Sequence, residues 1–422
     1  MHHNATSLFL SDTHHAYDIF HRLFSLFFIT STWAANPVPK ISETEITVSG
    51  VSSGAFMAQQ LHIAYSDIFS GMGSVAGGPF FCAQNMPPSD IATIKQQCMM
   101  GVGADLTATT YIDKAEALST DGLIAPIANL KDDKVFIFNS QSDQVINPLL
   151  GNASRLFYDH FVENQGSNIK AWAYIPTYGP FYPVAHGMPT AKSVFDQYEN
   201  LGDTAFPCAP SNSQQYSWFP NQFMRGNDPW MYHCNYGFVA GYDLGKDILS
   251  HLYGSINSPT KFKAENLHSF AQKTYVEDLE TDQDLNDHGI GSTGYAYVPD
   301  ACKSGETDCK LHVALHGCQQ FPEWTFTGKV GSAVSGQKIT FDDLFYKNIY
   351  NGLAEANNIV MLYPQAHNIG TKESDINPYG CWAFWALFDD ETQTYYTREG
   401  REMKMIANMV NALKSGTLSL SQ

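Results

Sequence analysis

The feature that most constrains this chain is a pentapeptide near its N-terminus. Residues 50–54 read Gly-Val-Ser-Ser-Gly, a G-x-S-x-G pattern that no other serine of the chain satisfies. The preceding "TEITVSG" predicts a short strand, and the apolar spacing of "SGAFMAQQLHIAYS" predicts a helix after the turn. Such a turn exposes the serine hydroxyl at a helix N-terminus, and Gly50 and Gly54 avoid a Cβ clash there. Although a chance match is the alternative, this context predicts Ser52 as a nucleophile.

A serine hydroxyl needs a general base, and two downstream loops hold the candidate residues. Asp143 follows the predicted buried strand "KVFIFNS", at the position expected for the acid of a catalytic triad. His186 lies in the loop "VAHGMPT", which comes after the predicted strand "IKAWAYIP". The order Ser52, Asp143, His186 is that of the α/β-hydrolase triad. A loop histidine without a role is the alternative for His186, since the chain has 15 histidines.

Acyl transfer also requires hydrogen-bond donors for the oxyanion, and one of them is out of its usual place. The backbone N–H of Ser53 is the first expected donor, and the second normally comes from a His-Gly loop before the nucleophile. No such loop precedes Ser52, but "LHVALHGCQQ" far downstream is a predicted strand that ends in His316-Gly317-Cys318. We infer a circular permutation, in which the strands that ordinarily precede the nucleophile turn of a hydrolase follow the histidine in this chain. Such a permutation is possible when chain termini lie close together.

With these pieces in place, the chain resembles the secreted poly(3-hydroxybutyrate) depolymerases, specifically those with a circularly permuted single catalytic domain. The resemblance runs from about residue 45 to the last predicted helix, and the combination of segments is more specific than any one of them. They are "GVSSGAFMAQQLHIAYS", "VAGGPFFC", "AHGMPT", "HCNYGFVAGYDLGKDILSHLYG", "STGYAYVPDAC", "LHVALHGCQQ", "NNIVMLYPQA" and "NPYGCWAFW". The resemblance implies a circularly permuted α/β-hydrolase fold, with a mostly parallel sheet flanked by helices.

The resemblance also implies roles for individual residues. It implies Ser52 as the nucleophile, Asp143 as the acid and His186 as the base. It also implies that the N–H groups of Ser53 and Cys318 form the oxyanion hole, and that Trp382 lies beside the cleft and helps to hold the polymer. A disulfide between Cys318 and Cys381 would then hold the oxyanion hole rigidly. The other expected pairs are Cys302–Cys309, Cys208–Cys234 and Cys82–Cys98.

The N-terminus and the cysteines indicate export. "HRLFSLFFITSTWAANP" has the layout of a secretory signal, with a buried N-terminal helix as the alternative, and its apolar run is too short to span a bilayer. Eight cysteines favour disulfides over free buried thiols in such a chain. We expect a signal peptide at 1–34 and a single α/β-hydrolase catalytic domain at 35–422, with an enlarged loop region at about 195–240. The predicted location is secreted, either extracellular or periplasmic.

Composition limits the partners. A net charge of −18 argues against a nucleic-acid partner, which needs clustered lysine and arginine. We expect a monomer without stable membrane insertion, without metal or organic cofactor, and with a polyester (polyhydroxyalkanoate) substrate. The expected activity is that of a secreted serine esterase, which hydrolyses poly(3-hydroxybutyrate) or related short-chain polyhydroxyalkanoates to oligomers and 3-hydroxybutyrate through an acyl-enzyme. Two alternatives stay open: an esterase acting on feruloyl or acetyl esters, and a non-catalytic secreted polymer-binding protein.

Overall fold

Strands and helices alternate along much of the chain. The computed structural model describes residues 37–141, 143, 145–172, 186–190, 206–207, 231–233, 242–326, 339–340, 349–372 and 374–421. The strands are β1 Lys40–Val51, β2 Gly71–Val75, β3 Lys134–Phe138, β4 Ile169–Trp172, β5 Met188–Thr190, β6 Phe206–Pro207, β7 Met231–His233, β8 Leu267–Ala271, β9 Thr293–Tyr297, β10 Asp308–Leu315, β11 Thr325–Phe326, β12 Ile339–Thr340 and β13 Ile359–Tyr363. The α-helices are α1 Ser53–Ala64, α2 Ile91–Cys98, α3 Thr109–Thr120, α4 Pro148–Phe161, α5 Gln165–Asn168, α6 Leu244–Tyr253, α7 Asp282–Asp287, α8 Asn351–Asn357 and α9 Arg401–Lys414.

An eight-stranded sheet forms the centre of the fold, in the order β4-β3-β2-β1-β10-β13-β9-β8. The six strands from β4 to β13 pair in parallel, whereas β9 and β8 add an antiparallel edge. Two small sheets, β5-β7-β6 and β11-β12, stand apart from it. The predicted mostly parallel sheet is therefore confirmed.

Each face of the sheet has its own hydrophobic core. In β3, Val135 and Ile137 pack with residues of α1, α3, α4 and α9, while Phe136 and Phe138 pack with residues of α6 and α8. Successive side chains of a strand point to opposite faces, so a strand covered on both sides reads as a continuous apolar run. This explains why "KVFIFNS" was recognisable as a buried strand and why helices cover both faces.

The late strands of the chain complete the sheet beside its first strand. β1 pairs with β2 on one side and with β10 on the other, and Gly50 is in register with both Ser74 and Leu315. Because parallel strands end at the same edge of a sheet, the turn after β1 and the His-Gly segment after β10 lie side by side. This is the arrangement that circular permutation predicted, and it confirms the expected fold class.

Several predictions fall outside the described residues. The described residues belong to one compact unit, Asn36–Gln422. The signal peptide at 1–34, the Cys208–Cys234 pair and most of the loop region at about 195–240 are not among them. Within the described ranges, no helix has the length and apolar character needed to cross a membrane.

Candidate active site

The nucleophile turn joins the centre of the sheet to the first helix. β1 ends at Val51, α1 begins at Ser53, and Ser52 between them has φ 56° and ψ −122°. A positive φ is uncommon for a non-glycine residue and persists only where the surrounding structure enforces it. Here the Ser52 N–H donates to the carbonyl of Val75 at 2.8 Å, and the Ser52 carbonyl accepts from the N–H of Ala55 at 2.9 Å. The strained turn leaves the serine half-buried at the helix N-terminus.

The two glycines of the pentapeptide allow close backbone approach. A Cβ at Gly50 would lie 2.1 Å from the carbonyl oxygen of Gly54, inside any allowed contact distance. A Cβ at Gly54 would lie 2.3 Å from the carbonyl oxygen of His316 and 2.5 Å from that of Leu315. The G-x-S-x-G turn thus packs against the end of β10, the strand that brings the His-Gly segment.

The predicted triad residues meet in one hydrogen-bonded row. His186 Nε2 lies 2.9 Å from Ser52 Oγ, and His186 Nδ1 lies 2.8 Å from Asp143 Oδ2. The side chains of Asp143 and His186 are 1% and 6% exposed, so both are shielded from bulk water. The backbone N–H groups of Val145 and Ile146 donate to Asp143 Oδ1 at 2.8 and 2.9 Å, which fixes the carboxylate. The row has the geometry in which a histidine accepts the serine proton while a carboxylate orients the ring.

The two predicted oxyanion-hole segments also converge on Ser52. Ser53 is the first residue of α1, so its N–H lies at a helix N-terminus, where backbone N–H groups favour negative charge. A Cβ at Gly317 would lie 3.1 Å from the Ser52 Cβ, which places the Gly317–Cys318 peptide beside the nucleophile. Among the described residues, neither the Ser53 N–H nor the Cys318 N–H has a protein hydrogen-bond acceptor. Both groups are thus available to a ligand.

Comparison with known proteins supports what this geometry indicates. The chain is 33% identical over 384 residues to a poly(3-hydroxybutyrate) depolymerase from Delftia acidovorans, an alignment that covers 90% of this chain but 62% of that protein. It is 30% identical over 392 residues to a polyhydroxybutyrate depolymerase from Talaromyces funiculosus, covering 90% of this chain and 93% of that protein. This chain belongs to the polyhydroxybutyrate depolymerase family. No protein-family model matches it.

Solved depolymerase structures share the fold. The crystal structure of the PHB depolymerase from Penicillium funiculosum superposes with a TM-score of 0.63 at 28% identity, covering 90% of this chain and 99% of that one. A serine-to-alanine PHB depolymerase complexed with an R3HB trimer gives a TM-score of 0.64 at 27% identity, with the same coverage. The polyhydroxybutyrate depolymerase fold therefore extends over most of this chain.

Disulfides brace this depolymerase-family chain where expected. Cys318 and Cys381 are bonded, with their Cα atoms 4.1 Å apart, and this bond joins the His-Gly turn to the Gly-Cys-Trp segment. The expected pairs Cys82–Cys98 and Cys302–Cys309 are also formed. Three of the four predicted disulfides are thus confirmed. The first of them anchors the residue whose N–H is predicted to bind the oxyanion.

Trp382 lies beside the two segments predicted to form the oxyanion hole. The side chain is 0% exposed and lies against the ring of His316, with ring centroids 5.3 Å apart. Its backbone N–H donates to Ser53 Oγ at 3.2 Å. The contact of this residue with the polymer stays a prediction. Trp382 packs beside the turn predicted to form the oxyanion hole, and its N–H holds the Ser53 hydroxyl.

Two buried side chains, for which the sequence motifs predicted no role, hydrogen-bond to the backbone around the site. His316 binds backbone groups on both of its ring nitrogens, and Glu402 Oε2 accepts the N–H of Ala383 at 2.8 Å. Glu402 is on the buried side of α9, together with Ile406, Met409 and Leu413. Helical spacing of the apolar residues in "REMKMIANMVNALK" would have placed a carboxyl on the core side of the helix, which is the signal that could have found it.

Proposed function

We propose that the chain is a secreted serine esterase that hydrolyses the backbone esters of poly(3-hydroxybutyrate) or related short-chain polyhydroxyalkanoates. The observation that carries this proposal is the row of Ser52, His186 and Asp143, with contacts of 2.9 and 2.8 Å. Membership of the polyhydroxybutyrate depolymerase family supports the substrate class. The Talaromyces relative, of which this chain covers 93%, is a polyhydroxybutyrate depolymerase.

In the proposed reaction, His186 Nε2 takes the proton of Ser52 Oγ as that oxygen bonds to the ester carbonyl carbon. The carbonyl electrons move onto its oxygen, and the N–H groups of Ser53 and Cys318 stabilise the charge. Collapse of the tetrahedral intermediate breaks the bond to the alcohol half of the chain, which leaves with the proton from His186. A 3-hydroxyacyl ester remains on Ser52.

Water then releases the acyl group by the same route in reverse. His186 takes a proton from the attacking water, and Ser52 recovers its proton as the hydroxyacid or oligomer departs. Asp143 accepts from His186 Nδ1–H, so it holds the required tautomer and stabilises the imidazolium formed in each half-reaction. The proton transfer between Ser52 and His186 uses groups that already lie 2.9 Å apart.

Secretion forms part of the proposal. Three disulfides are the observation that supports it, because such bonds persist in oxidising compartments. The proposed organisation is a signal peptide at 1–34 followed by one catalytic domain at 35–422. Sequencing the N-terminus of protein recovered from the culture medium of a secreting host tests both points, with mature chains beginning near residue 35 as the expected result.

The substrate is tested by product analysis. Wild-type protein, Ser52→Ala and the exposed-site control Ser304→Ala are incubated with amorphous poly(3-hydroxybutyrate), and released acids are quantified by chromatography. We expect 3-hydroxybutyrate and oligomers from wild type and Ser304→Ala, and a loss of about 10⁴-fold or more for Ser52→Ala, because alanine has no oxygen with which to form the acyl-enzyme.

Parallel incubations with feruloyl and acetyl esters decide between the alternatives. Faster turnover of those esters than of the polyester would overturn the substrate class. Polymer binding without acid release, together with failure of a fluorophosphonate to label Ser52 in folded protein, would identify a non-catalytic binding protein. Full activity of Ser52→Ala would disprove the nucleophile assignment.

A further inference from the structure

His316, the residue that follows β10, binds backbone on both sides of its ring. Its side chain is fully buried, and the N–H of Ala366 donates to Nε2 at 3.0 Å. A backbone N–H can only donate, so Nε2 carries the lone pair and Nδ1 carries the proton. Nδ1 lies 2.7 Å from the carbonyl oxygen of Gly317 and therefore donates to it. Burial lowers the pKa of His316 to about 4, which keeps the ring in this neutral form near pH 7.

The carbonyl held by His316 belongs to the peptide that carries the Cys318 N–H. In a trans peptide, the C=O and N–H bonds point in opposite directions. Holding the Gly317 carbonyl against the His316 ring therefore turns the Cys318 N–H away from that ring. A Cβ at Gly317 would lie 3.1 Å from the Ser52 Cβ, so the fixed peptide is adjacent to the nucleophile.

Other contacts fix where this peptide lies but not which way it faces. The Cys318–Cys381 disulfide anchors the Cys318 side chain, and Gln320 Oε1 accepts the Gly317 N–H at 2.6 Å. Neither of these contacts involves the Gly317 carbonyl or the Cys318 N–H. Rotation of the single peptide plane between them would keep both contacts and remove the N–H from its position. The hydrogen bond from His316 Nδ1 opposes that rotation directly.

We propose that His316 is a positioning residue for ester hydrolysis, which orients the Gly317–Cys318 peptide so that the Cys318 N–H faces the oxyanion formed at Ser52. This inference rests on the proposed function. The expected effect is bounded by the loss of one oxyanion donor, which lowers kcat by about 10²- to 10³-fold. Because the proposed role acts on an oxyanion donor and not on the bound ester, ground-state binding should change little.

Two substitutions separate the two ring nitrogens. In His316→Asn the side-chain amide N–H can replace Nδ1–H, whereas in His316→Gln the longer amide reaches the position of Nε2 and leaves the Gly317 carbonyl without its donor. With p-nitrophenyl butyrate as the substrate, we expect His316→Gln to lower kcat about 10- to 100-fold with KM changed less than about threefold. His316→Asn should retain kcat within about threefold of wild type.

A transition-state readout distinguishes orientation from general damage. A trifluoromethyl ketone that adds to Ser52 forms an oxyanion, so its affinity should fall in His316→Gln by the same factor as kcat/KM. An equal loss of kcat in both variants would show that His316 only packs the core. A higher KM and a lower melting temperature with unchanged ketone affinity would show the same. Wild-type kcat in His316→Gln would also overturn the proposal.

A measurement on the unaltered protein covers the case in which the variants do not fold. In ¹⁵N-histidine-labelled wild type, the ring that contacts the Ala366 amide proton should be neutral and protonated at Nδ1 from pH 5.5 to 8.5. Protonation at Nε2 would refute the hydrogen bond to Gly317. The soluble ester keeps this test separate from the choice of polymer: failure to cleave polyhydroxybutyrate refutes the proposed substrate, whereas an insensitive kcat in His316→Gln refutes only this inference.

Discussion

Glu402 should make the folded protein less stable as pH rises. It lies in the first turn of α9 with 5% of its surface exposed, and Oε2 accepts the Ala383 N–H at 2.8 Å. The neighbouring Arg401 forms an ion pair with Glu391 at 2.6 Å, so it stabilises the charged form of Glu402 only weakly. Burial, strengthened by the charge of Glu391, raises the pKa of Glu402 from 4.5 to about 8.

The direction and size of the effect follow from proton linkage. Below pH 4.5 the carboxyl is protonated in the folded and unfolded chains alike, so it contributes no pH dependence. Between that value and about pH 8 only the unfolded chain loses the proton, and the free energy of unfolding falls by about 1.4 kcal/mol per pH unit. The whole interval corresponds to about 5 kcal/mol, and the loss stops once the folded carboxyl also ionises.

The assay compares wild type with Glu402→Gln by guanidinium chloride unfolding, with disulfides intact, at unit steps from pH 5 to pH 9. The glutamine keeps a carbonyl oxygen for Ala383 and carries no charge at any pH. Other titrating groups contribute equally to both proteins and cancel. We therefore expect the stability of the variant relative to wild type to rise by about 1.4 kcal/mol per pH unit up to about pH 8 and then to level off.

An exposed carboxyl provides the matched control. Glu306 lies at the surface, so Glu306→Gln makes the same chemical change without the burial. Its stability difference from wild type should stay flat over the same range. Parallel stability curves for Glu402→Gln and wild type between pH 5 and pH 8 would show that Glu402 is ionised in the folded protein, and would refute the reasoning.

Two further outcomes follow from the site. Asp143→Asn should lower kcat on p-nitrophenyl butyrate by about 10³- to 10⁴-fold, because the amide no longer favours the required His186 tautomer, while circular dichroism stays unchanged; a loss below tenfold would contradict the assigned role. Gly54→Ala should destabilise the protein by about 3 kcal/mol in chemical unfolding, because its Cβ would lie 2.3 Å from the His316 carbonyl oxygen. The matched control is Gly166→Ala, since nothing lies within 4 Å of a Cβ at Gly166, and equal effects of the two substitutions would contradict this explanation.

The adjacency of Ser52, His186 and Asp143 was predictable because local pattern and chain order both constrain it. Gly50 and Gly54 frame a strand-to-helix turn, and that context distinguished Ser52 from every other serine. Asp143 and His186 each follow a strand that was recognisable from its apolar run, and parallel strands deliver such loops to one edge of the sheet. None of these inferences required knowledge of a distant contact.

The contacts of the supporting residues were not predictable, because their partners are distant in sequence. Helical spacing could have placed Glu402 on the core side of α9, but it does not identify the group that the carboxyl binds. The role of His316 depends on the backbone of Ala366, and that of Glu402 depends on Ala383. The resemblance to the family placed Trp382 beside the cleft, whereas its packing against His316 is decided by how two loops pack. A motif specifies residue types at fixed spacing, whereas burial and hydrogen bonding arise only once the elements are assembled.

The site depends on strand adjacency rather than chain order, and the register of β1 against β10 sets its geometry. Buried His312 on β10 bridges two residues of β1, with Nδ1 2.7 Å from Thr47 Oγ1 and Nε2 2.7 Å from Ser49 Oγ. Any slip of the two strands would break both hydrogen bonds inside the core, where unpaired polar groups are costly. The same slip would move the carbonyls of Leu315 and His316, against which the backbone of Gly54 packs. The contacts that fix the register thus also set the distance between the Ser52 hydroxyl and the Cys318 N–H, wherever in the chain the two strands occur.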